Sequence, residues 1–167
     1  MRKSLLSMML AVVMALSVLA VPVSAAKPPV SKGKKMYVTG TKHFLALRSS
    51  PAYKDSNIKK KLYNGQKVKI KGSWKGKYVK VYSYTRKKTG YVDGTYLKAK
   101  SGKIKEVRKV KHFLALRTAA SYDDDNIIGK MYNGDEVRVI GNKRGSYVWV
   151  YSFDLDRSGY VNKKYLR

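Results

Sequence analysis

The sequence predicts an all-β chain in which two small antiparallel barrels stand in tandem. Three observations support this prediction. A unit of about 60 residues, near the lower size limit of independently folding domains, is present twice. Within each copy, apolar residues alternate with polar ones along short segments, and glycine-containing turns separate these segments.

The duplication is clearest in the heptapeptide KHFLALR, which occurs at 42–48 and again at 111–117. The two copies keep an offset of 69 residues, so that LYNGQKVKI at 62–70 aligns with MYNGDEVRV at 131–139. The same register aligns YVKVYSY with YVWVYSF, and GYVDGTYLK with GYVNKKYLR. Such a register without gaps indicates a tandem duplication of one folding unit.

The boundaries of the copies predict a first barrel over residues 36–98, a linker over 99–104 and a second barrel over 105–167. Inside the first unit, Val68 and Ile70 alternate with lysines, as expected of half-buried strands. Several short strands in so few residues can bury one face by curling into a small antiparallel barrel.

Residues 1–25 have the pattern of a secretory signal peptide. A basic start is followed by an apolar run and then by small residues that end in Ala25, which predicts cleavage after this position. A membrane anchor is the alternative, but the run is near the lower limit of roughly 18 to 20 residues for a bilayer span. We therefore expect a secreted protein whose mature form has no membrane span and begins with a basic segment at 26–35.

The sequence offers little for catalysis. It contains no cysteine, which excludes disulfides and a cysteine-peptidase centre and suits bacterial export better than eukaryotic secretion. The two histidines, His43 and His112, stand at equivalent positions of different repeats, where we expect a structural role on the side of Leu45 and Leu47. DLDRSG at 154–159 resembles the start of a calcium loop but lacks the acid at its twelfth position, so a polar turn is expected. We predict no catalytic residue, no metal and no cofactor.

A family resemblance is carried by four motifs in a fixed order: LALR, NG before a VKI or VRV strand, YVKV or YVWV, and GYV followed by YL. This series resembles the bacterial SH3 domains of the SH3b type, and it recurs in both repeats. The chain departs from the family where Tyr78 and Tyr147 replace a usual Trp, and where Ala120 replaces the Pro found at position 51. The resemblance implies SH3-like barrels and a non-catalytic module that binds cell-wall peptidoglycan, often through its peptide part.

Strand parity predicts a row of outward-facing aromatic residues in each unit. If Val148 and Val150 face the interior, their neighbours along YVWVYSF face outward. Aromatic rings can stack on sugars or cover a peptide backbone at little cost in side-chain entropy. The sequence leaves open, for Trp149 and Phe153, that the row instead packs against the other repeat, the long loop or the N-terminal strand. Together with tyrosines near the family's groove, the predicted ligand-binding residues are Tyr53, Tyr63, Tyr78, Tyr82, Tyr122, Tyr132, Tyr147, Trp149 and Tyr151.

The positive charge is concentrated in the first repeat. The whole chain has a formal net charge of +27, and residues 42–98 contain 16 Lys or Arg and two acids, against 10 and seven for residues 111–167. A field of this kind attracts polyanions with little geometric specificity and weakens with salt. The predicted polyanion-binding residues are Lys59, Lys60, Lys61, Lys69, Lys71, Lys75, Lys77 and Lys80.

These observations predict a secreted, wall-associated binding protein whose partners are peptidoglycan and the anionic polymers of a bacterial cell wall. One alternative is a general polyanion binder, for which nucleic acid would be a non-specific ligand. A second alternative is an adaptor that uses the aromatic row to bind a secreted protein partner.

Overall fold

The computed structural model describes residues 29–167, and it contains two antiparallel sheets, one for each repeat. The predicted signal peptide, 1–25, and the start of the basic segment lie outside the described residues. Within residues 29–167 the secondary structure consists of strands and short 3-10 helices, without an α-helix. The all-β prediction is confirmed. No helix in this described part is long and apolar enough to cross a membrane.

The first sheet contains seven strands, in the spatial order β3-β2-β6-β5-β4-β1-β7. Because β3 and β7 end this order and do not pair with each other, the sheet is not a closed barrel, but it is compatible with a small SH3-like domain. The strands are β1 (Lys35–Val38), β2 (Leu45–Arg48), β3 (Ile58–Leu62), β4 (Lys67–Lys75), β5 (Tyr78–Ser83), β6 (Lys88–Asp93) and β7 (Leu97–Lys98).

The second sheet repeats this order as β10-β9-β13-β12-β11-β8. An isolated bridge between Val107 and Leu166 stands where β1 pairs with β7 in the first repeat. The strands are β8 (Lys103–Glu106), β9 (Leu114–Arg117), β10 (Ile127–Met131), β11 (Glu136–Arg144), β12 (Tyr147–Ser152) and β13 (Arg157–Asn162). The 3-10 helices span Asp55–Asn57, Gly94–Tyr96, Asp124–Asn126 and Lys163–Tyr165.

The apolar residues of the alternating segments form the hydrophobic cores of the two repeats. Val68, Ile70 and Val81 are fully buried inside the first repeat, whereas the lysines between them on β4 are exposed. Val148 and Val150 belong to the core of the second repeat, as parity predicts. Each repeat therefore buries the apolar side of its own strands.

The opposite side of β12 is also buried, because it packs against the first repeat. Trp149 is 1% exposed and Tyr151 is 5% exposed, and both belong to the same apolar cluster as the core of the first repeat. The Trp149 ring makes edge-on contacts with Trp74 at 5.6 Å and with Tyr160 at 4.9 Å between centroids. Phe153, at the end of the row, remains 36% exposed. The packing alternative is thus correct for Trp149 but not for Phe153, and Tyr151, for which it was not considered, is buried in the same contact.

The N-terminal segment before β1 helps to close this contact between repeats. Val30 is buried, and its carbonyl oxygen accepts a hydrogen bond from the Trp74 indole nitrogen at 3.2 Å. The carbonyl oxygen of Pro29 accepts from the backbone N–H of Asn142 in β11 at 2.7 Å. The segment therefore joins both sheets.

Asp156 forms the polar part of the contact. Its carboxylate accepts hydrogen bonds from the Thr39 hydroxyl, from the Gly40 backbone N–H at 2.8 Å and from the Tyr151 hydroxyl at 2.5 Å, and lies 3.6 Å from the Lys98 ammonium. Burial opposes the charge of Asp156, but the hydrogen bonds and Lys98 outweigh it and lower the pKa of this carboxyl. The turn predicted as a simple polar turn thus links the repeats.

Candidate functional site

Each repeat carries a surface groove, and the two grooves are built from equivalent residues. Groove 1, in the first repeat, has a volume of about 500 Å³, and groove 2, in the second, about 550 Å³. Both lie between the segment that enters the second strand of the repeat, the long loop after LALR and the final 3-10 helix. The pairs of equivalent residues that line them include Lys42/Lys111, His43/His112, Phe44/Phe113, Arg48/Arg117, Tyr53/Tyr122, Tyr78/Tyr147 and Tyr96/Tyr165.

The arginine of LALR fixes the long loop. Arg48 is 6% exposed, and its Nη1 donates to the carbonyl oxygen of Lys54 at 2.5 Å and to Asn57 Oδ1 at 2.9 Å. Its guanidinium also lies 4.9 Å from the centre of the Tyr53 ring, which is 82% exposed. A charged fork with several acceptors holds a loop more firmly than a single neutral hydrogen bond would. Tyr53 is therefore an exposed ring on a loop that Arg48 holds in place.

The second repeat reproduces this arrangement. Arg117 donates to Asn126 Oδ1 at 3.1 Å and to the carbonyl oxygen of Asp123, and lies 5.0 Å from the Tyr122 ring centre. Tyr122 is 87% exposed. The YDDDN cluster that contains these residues thus caps its own 3-10 helix, since the Asp123 carboxylate accepts from the backbone N–H of Asp125.

The two histidines line the grooves and are exposed, so the expectation that they would pack beside Leu45 and Leu47 is wrong. The strand begins at Leu45, two residues after His43, and the alternation of the strand does not extend to the histidine. The adjacent Phe44 contacts the Lys61 ammonium at 4.7 Å, and Phe113 contacts Lys130 at the same distance.

The grooves differ in charge at their far end. In groove 1 the Lys77 ammonium and the Asp93 carboxylate form an ion pair of 3.0 Å, and although burial opposes its charge, this pairing raises the pKa of Lys77. Arg157, from the second repeat, also lines groove 1. In groove 2, Asn162 replaces Asp93, and Lys164 adds a cation.

The structure brings some predicted ligand-binding residues together and separates others. Tyr53 joins Tyr78 in groove 1, and Tyr122 joins Tyr147 in groove 2. Trp149 is covered by the first repeat, so it cannot act as an exposed stacking platform. The remaining predicted tyrosines lie outside both grooves: Tyr63 and Tyr132 are exposed, Tyr82 is half-buried, and Tyr151 is buried between the repeats.

The predicted polyanion-binding lysines also occupy different places. The outer edge strand β3 carries three exposed lysines, a position at which charge also prevents pairing with other chains. Lys77 is in the ion pair of groove 1, and Lys80 lies 5.9 Å from the Tyr91 ring centre. The β3 lysines are Lys59, Lys60 and Lys61, and those exposed on β4 are Lys69, Lys71 and Lys75.

Across residues 29–167, no three side chains of His, Cys, Asp or Glu converge as a metal site would require. The grooves contain donors, a carboxylate and aromatic rings, which suit the binding of a polar ligand.

No protein-family model matches the chain, and no curated protein matches it. Among solved structures, NlpC2 from Trichomonas vaginalis is similar with a TM-score of 0.36 and 12% identity. The match covers 82% of this chain and 48% of that one, so the chain spans about half the length of NlpC2. At this level of similarity, NlpC2 carries no argument about the function of this chain.

Proposed function

We propose that this protein is a secreted, non-catalytic binding protein of the bacterial cell wall, with two SH3b-type modules that recognise peptidoglycan. One observation carries the proposal: both repeats present the same groove, in which an exposed tyrosine is fixed on a buried arginine beside an exposed histidine. A duplicated binding groove suits a polymer with repeating units, because two linked sites gain avidity on one ligand.

The groove chemistry fits a peptide or glycan of the wall. Tyr53 and Tyr122 offer ring surface for stacking, while His43 and His112 can donate hydrogen bonds to carbonyl or carboxylate oxygens. The lysines of the first repeat would add affinity for anionic wall polymers, which decreases with salt.

Sedimentation with peptidoglycan that has been stripped of its anionic polymers tests this proposal. The double variant Tyr53→Ala/Tyr122→Ala should lose retention at physiological salt. The matched control is Tyr63→Ala/Tyr132→Ala, which removes two exposed tyrosines outside the grooves and should bind as the wild type does. If the wild type is not retained, or if both double variants bind equally, the grooves are not the peptidoglycan site.

The charge of the first repeat favours a second candidate, a general polyanion binder. Such a protein would show a steep linear dependence of log affinity on log salt, with little difference between nucleic acid and acidic polysaccharide. The groove variants would leave this binding unchanged. The adaptor alternative relied on the aromatic row, and two of its rings, Trp149 and Tyr151, are buried between the repeats.

A further inference from the structure

A third concave site, the inter-repeat cleft, lies where the two repeats meet. It has a volume of about 380 Å³ and is lined by Tyr37 of β1, Lys98 of β7, Lys100 of the linker, and Arg138, Tyr151 and Phe153 of the second repeat. This volume is within the range of about 300 to 1,000 Å³ that is usual for small-ligand sites. The cleft shares no lining residue with groove 1 or groove 2.

Three cations surround the cleft, each close to an aromatic ring of the same cleft. The distances to the ring centre are 5.1 Å from Lys98 to Tyr151, 4.9 Å from Lys100 to Tyr37 and 5.1 Å from Arg138 to Phe153. These contacts restrict the long side chains, so less entropy is lost when a ligand binds.

The charges of the cleft are only partly balanced. The Lys98 ammonium lies 3.6 Å from Asp156, whereas neither Lys100 nor Arg138 forms an ion pair with any residue in the range 29–167. Arg138 donates one hydrogen bond to the carbonyl oxygen of Ala99 at 3.1 Å, which orients its guanidinium towards the linker. Two cations beside the apolar surface of aromatic rings favour a ligand in which an anionic group is attached to a ring.

The cleft continues into a basic face on the first sheet. In the strand register, Tyr37 is directly opposite Lys67 on one side and Lys98 on the other, and Lys35 is opposite Lys69. A row of lysines on β1 and β4 thus extends outward from Tyr37 at the cleft. A chain of anionic units, rather than a single small ion, matches this extension.

The cleft is formed by residues of both repeats together with the linker between them. Two of its residues, Ala99 and Lys100, belong to the linker that joins the repeats. The position equivalent to Tyr37 is Glu106, whose acid would oppose an anionic ligand. The cleft is therefore a product of the tandem arrangement.

We propose that the inter-repeat cleft binds an anionic sugar unit, bearing a carboxylate or a phosphate, of an acidic polysaccharide that continues across the basic face. Lys100 and Arg138 bind the anionic group, and Tyr37 and Phe153 contact the sugar ring. This inference deepens the anionic-polymer part of the proposed function and is independent of peptidoglycan recognition by the grooves.

Binding titrations with the full chain at fixed physiological salt test the cleft. The probes are oligogalacturonate for the carboxylate, a glycerol phosphate oligomer that carries sugar substituents for the phosphate, a neutral dextran oligomer, and single-stranded DNA. The variant Lys100→Gln/Arg138→Gln should lower affinity for at least one acidic glycan probe tenfold or more. The control Lys143→Gln/Lys163→Gln removes the same charge from exposed positions of the second repeat, outside the cleft and both grooves, and should lower it less than threefold.

Several results would overturn the inference. Equal losses for the cleft and control variants on every probe would indicate binding by charge alone, and an unchanged affinity of the cleft variant would exclude the site. A loss on DNA as large as that on the glycans would exclude recognition of the sugar. Lys100→Glu alters an exposed side chain of the linker, so this variant decides the question if Arg138→Gln impairs folding.

The same variants separate this inference from the proposed function. The cleft variant should keep wild-type retention on stripped peptidoglycan, whereas Tyr53→Ala/Tyr122→Ala should keep its affinity for the acidic glycan. If peptidoglycan retention fails while glycan binding depends on the cleft, the groove proposal is wrong and the cleft inference is supported.

Discussion

The contact between the repeats can be tested at Trp149, whose replacement by alanine should uncouple them. The side chain is 1% exposed and contacts both Trp74 of the first repeat and Tyr160 of its own sheet. Removing it leaves a cavity within a cluster that contains core residues of both repeats. The stability that each repeat gains from the other should therefore decrease.

The expected loss is about 3 kcal/mol. A tryptophan buries about 150 to 250 Å², which at about 25 cal/mol per Å² corresponds to roughly 4 to 6 kcal/mol. Within the described part of the chain, however, the Trp149 indole nitrogen is buried without a hydrogen-bond partner. The alanine variant removes this penalty of about 1 to 3 kcal/mol, which reduces the net loss.

Differential scanning calorimetry measures this effect. For a protein of this size, about 3 kcal/mol corresponds to a decrease in melting temperature of roughly 6 to 12 °C. We expect one transition for the wild type and two for Trp149→Ala. The matched control is Lys80→Ala, at the equivalent and partly exposed position of the first repeat, which should shift the melting temperature little. A single transition of Trp149→Ala within about 2 °C of the wild type would refute the coupling.

Three other changes have expected outcomes. The pKa of Asp156 is lowered in the fold, so the stability that its ionised carboxylate gives the folded state is complete above pH 3.8 and is lost as the pH falls through the folded-state pKa. In urea unfolding, the free energy of unfolding should therefore depend less on pH below 3.8 in Asp156→Asn than in the wild type. Equal pH profiles of the two proteins would contradict this. Gly40 has a φ of 63°, and an added Cβ would lie 2.2 Å from the backbone oxygen of Asp156, whereas Gly76 has a φ of 55° and no atom within 4 Å. Gly40→Ala should therefore reduce the free energy of unfolding more than Gly76→Ala. Equal losses would mean that only the positive φ, and not the contact with Asp156, makes the substitution costly. Arg48→Lys removes the guanidinium group that holds the long loop and should lower the free energy of unfolding by about 1 to 3 kcal/mol. The Ser49 amide, which donates to the Asn57 carbonyl oxygen at 2.8 Å, should then exchange its hydrogen faster. An unchanged exchange rate would refute the role of Arg48.

Local patterns in the sequence were sufficient to predict the sheets. Val68 and Ile70 alternate with lysines because β4 has one buried and one solvated side, and this relation needs no knowledge of distant residues. The duplicated register likewise predicted two similar units. Closure was predicted and is absent, because closure depends on whether the edge strands β3 and β7 meet, which no local pattern encodes.

Contacts between distant segments limited the prediction of the site. Asp156 was interpreted as part of a simple polar turn, yet its carboxylate binds Thr39 and Gly40, more than 100 residues earlier. Strand parity correctly placed Trp149 on the outer side of β12 but could not indicate what covers that side. The exposure of His43 and His112 was not predicted, because the alternation of the strand was extended two residues before its start at Leu45 or Leu114.

The difference between Lys80 and Trp149 explains how one duplicated fold came to have two kinds of surface. Both side chains point away from the core of their own repeat, at the same position of equivalent strands. Trp149 is covered by the first repeat, because the outer side of the second sheet packs against that repeat. Lys80, in contrast, remains partly exposed, and the lysines of β4 beside it face solvent. The contact of the second sheet therefore leaves the basic face of the first sheet free and creates the cleft at its border. Groove 1 borders this contact, because Arg157 of the second repeat lines it, whereas the residues that line groove 2 all belong to the second repeat.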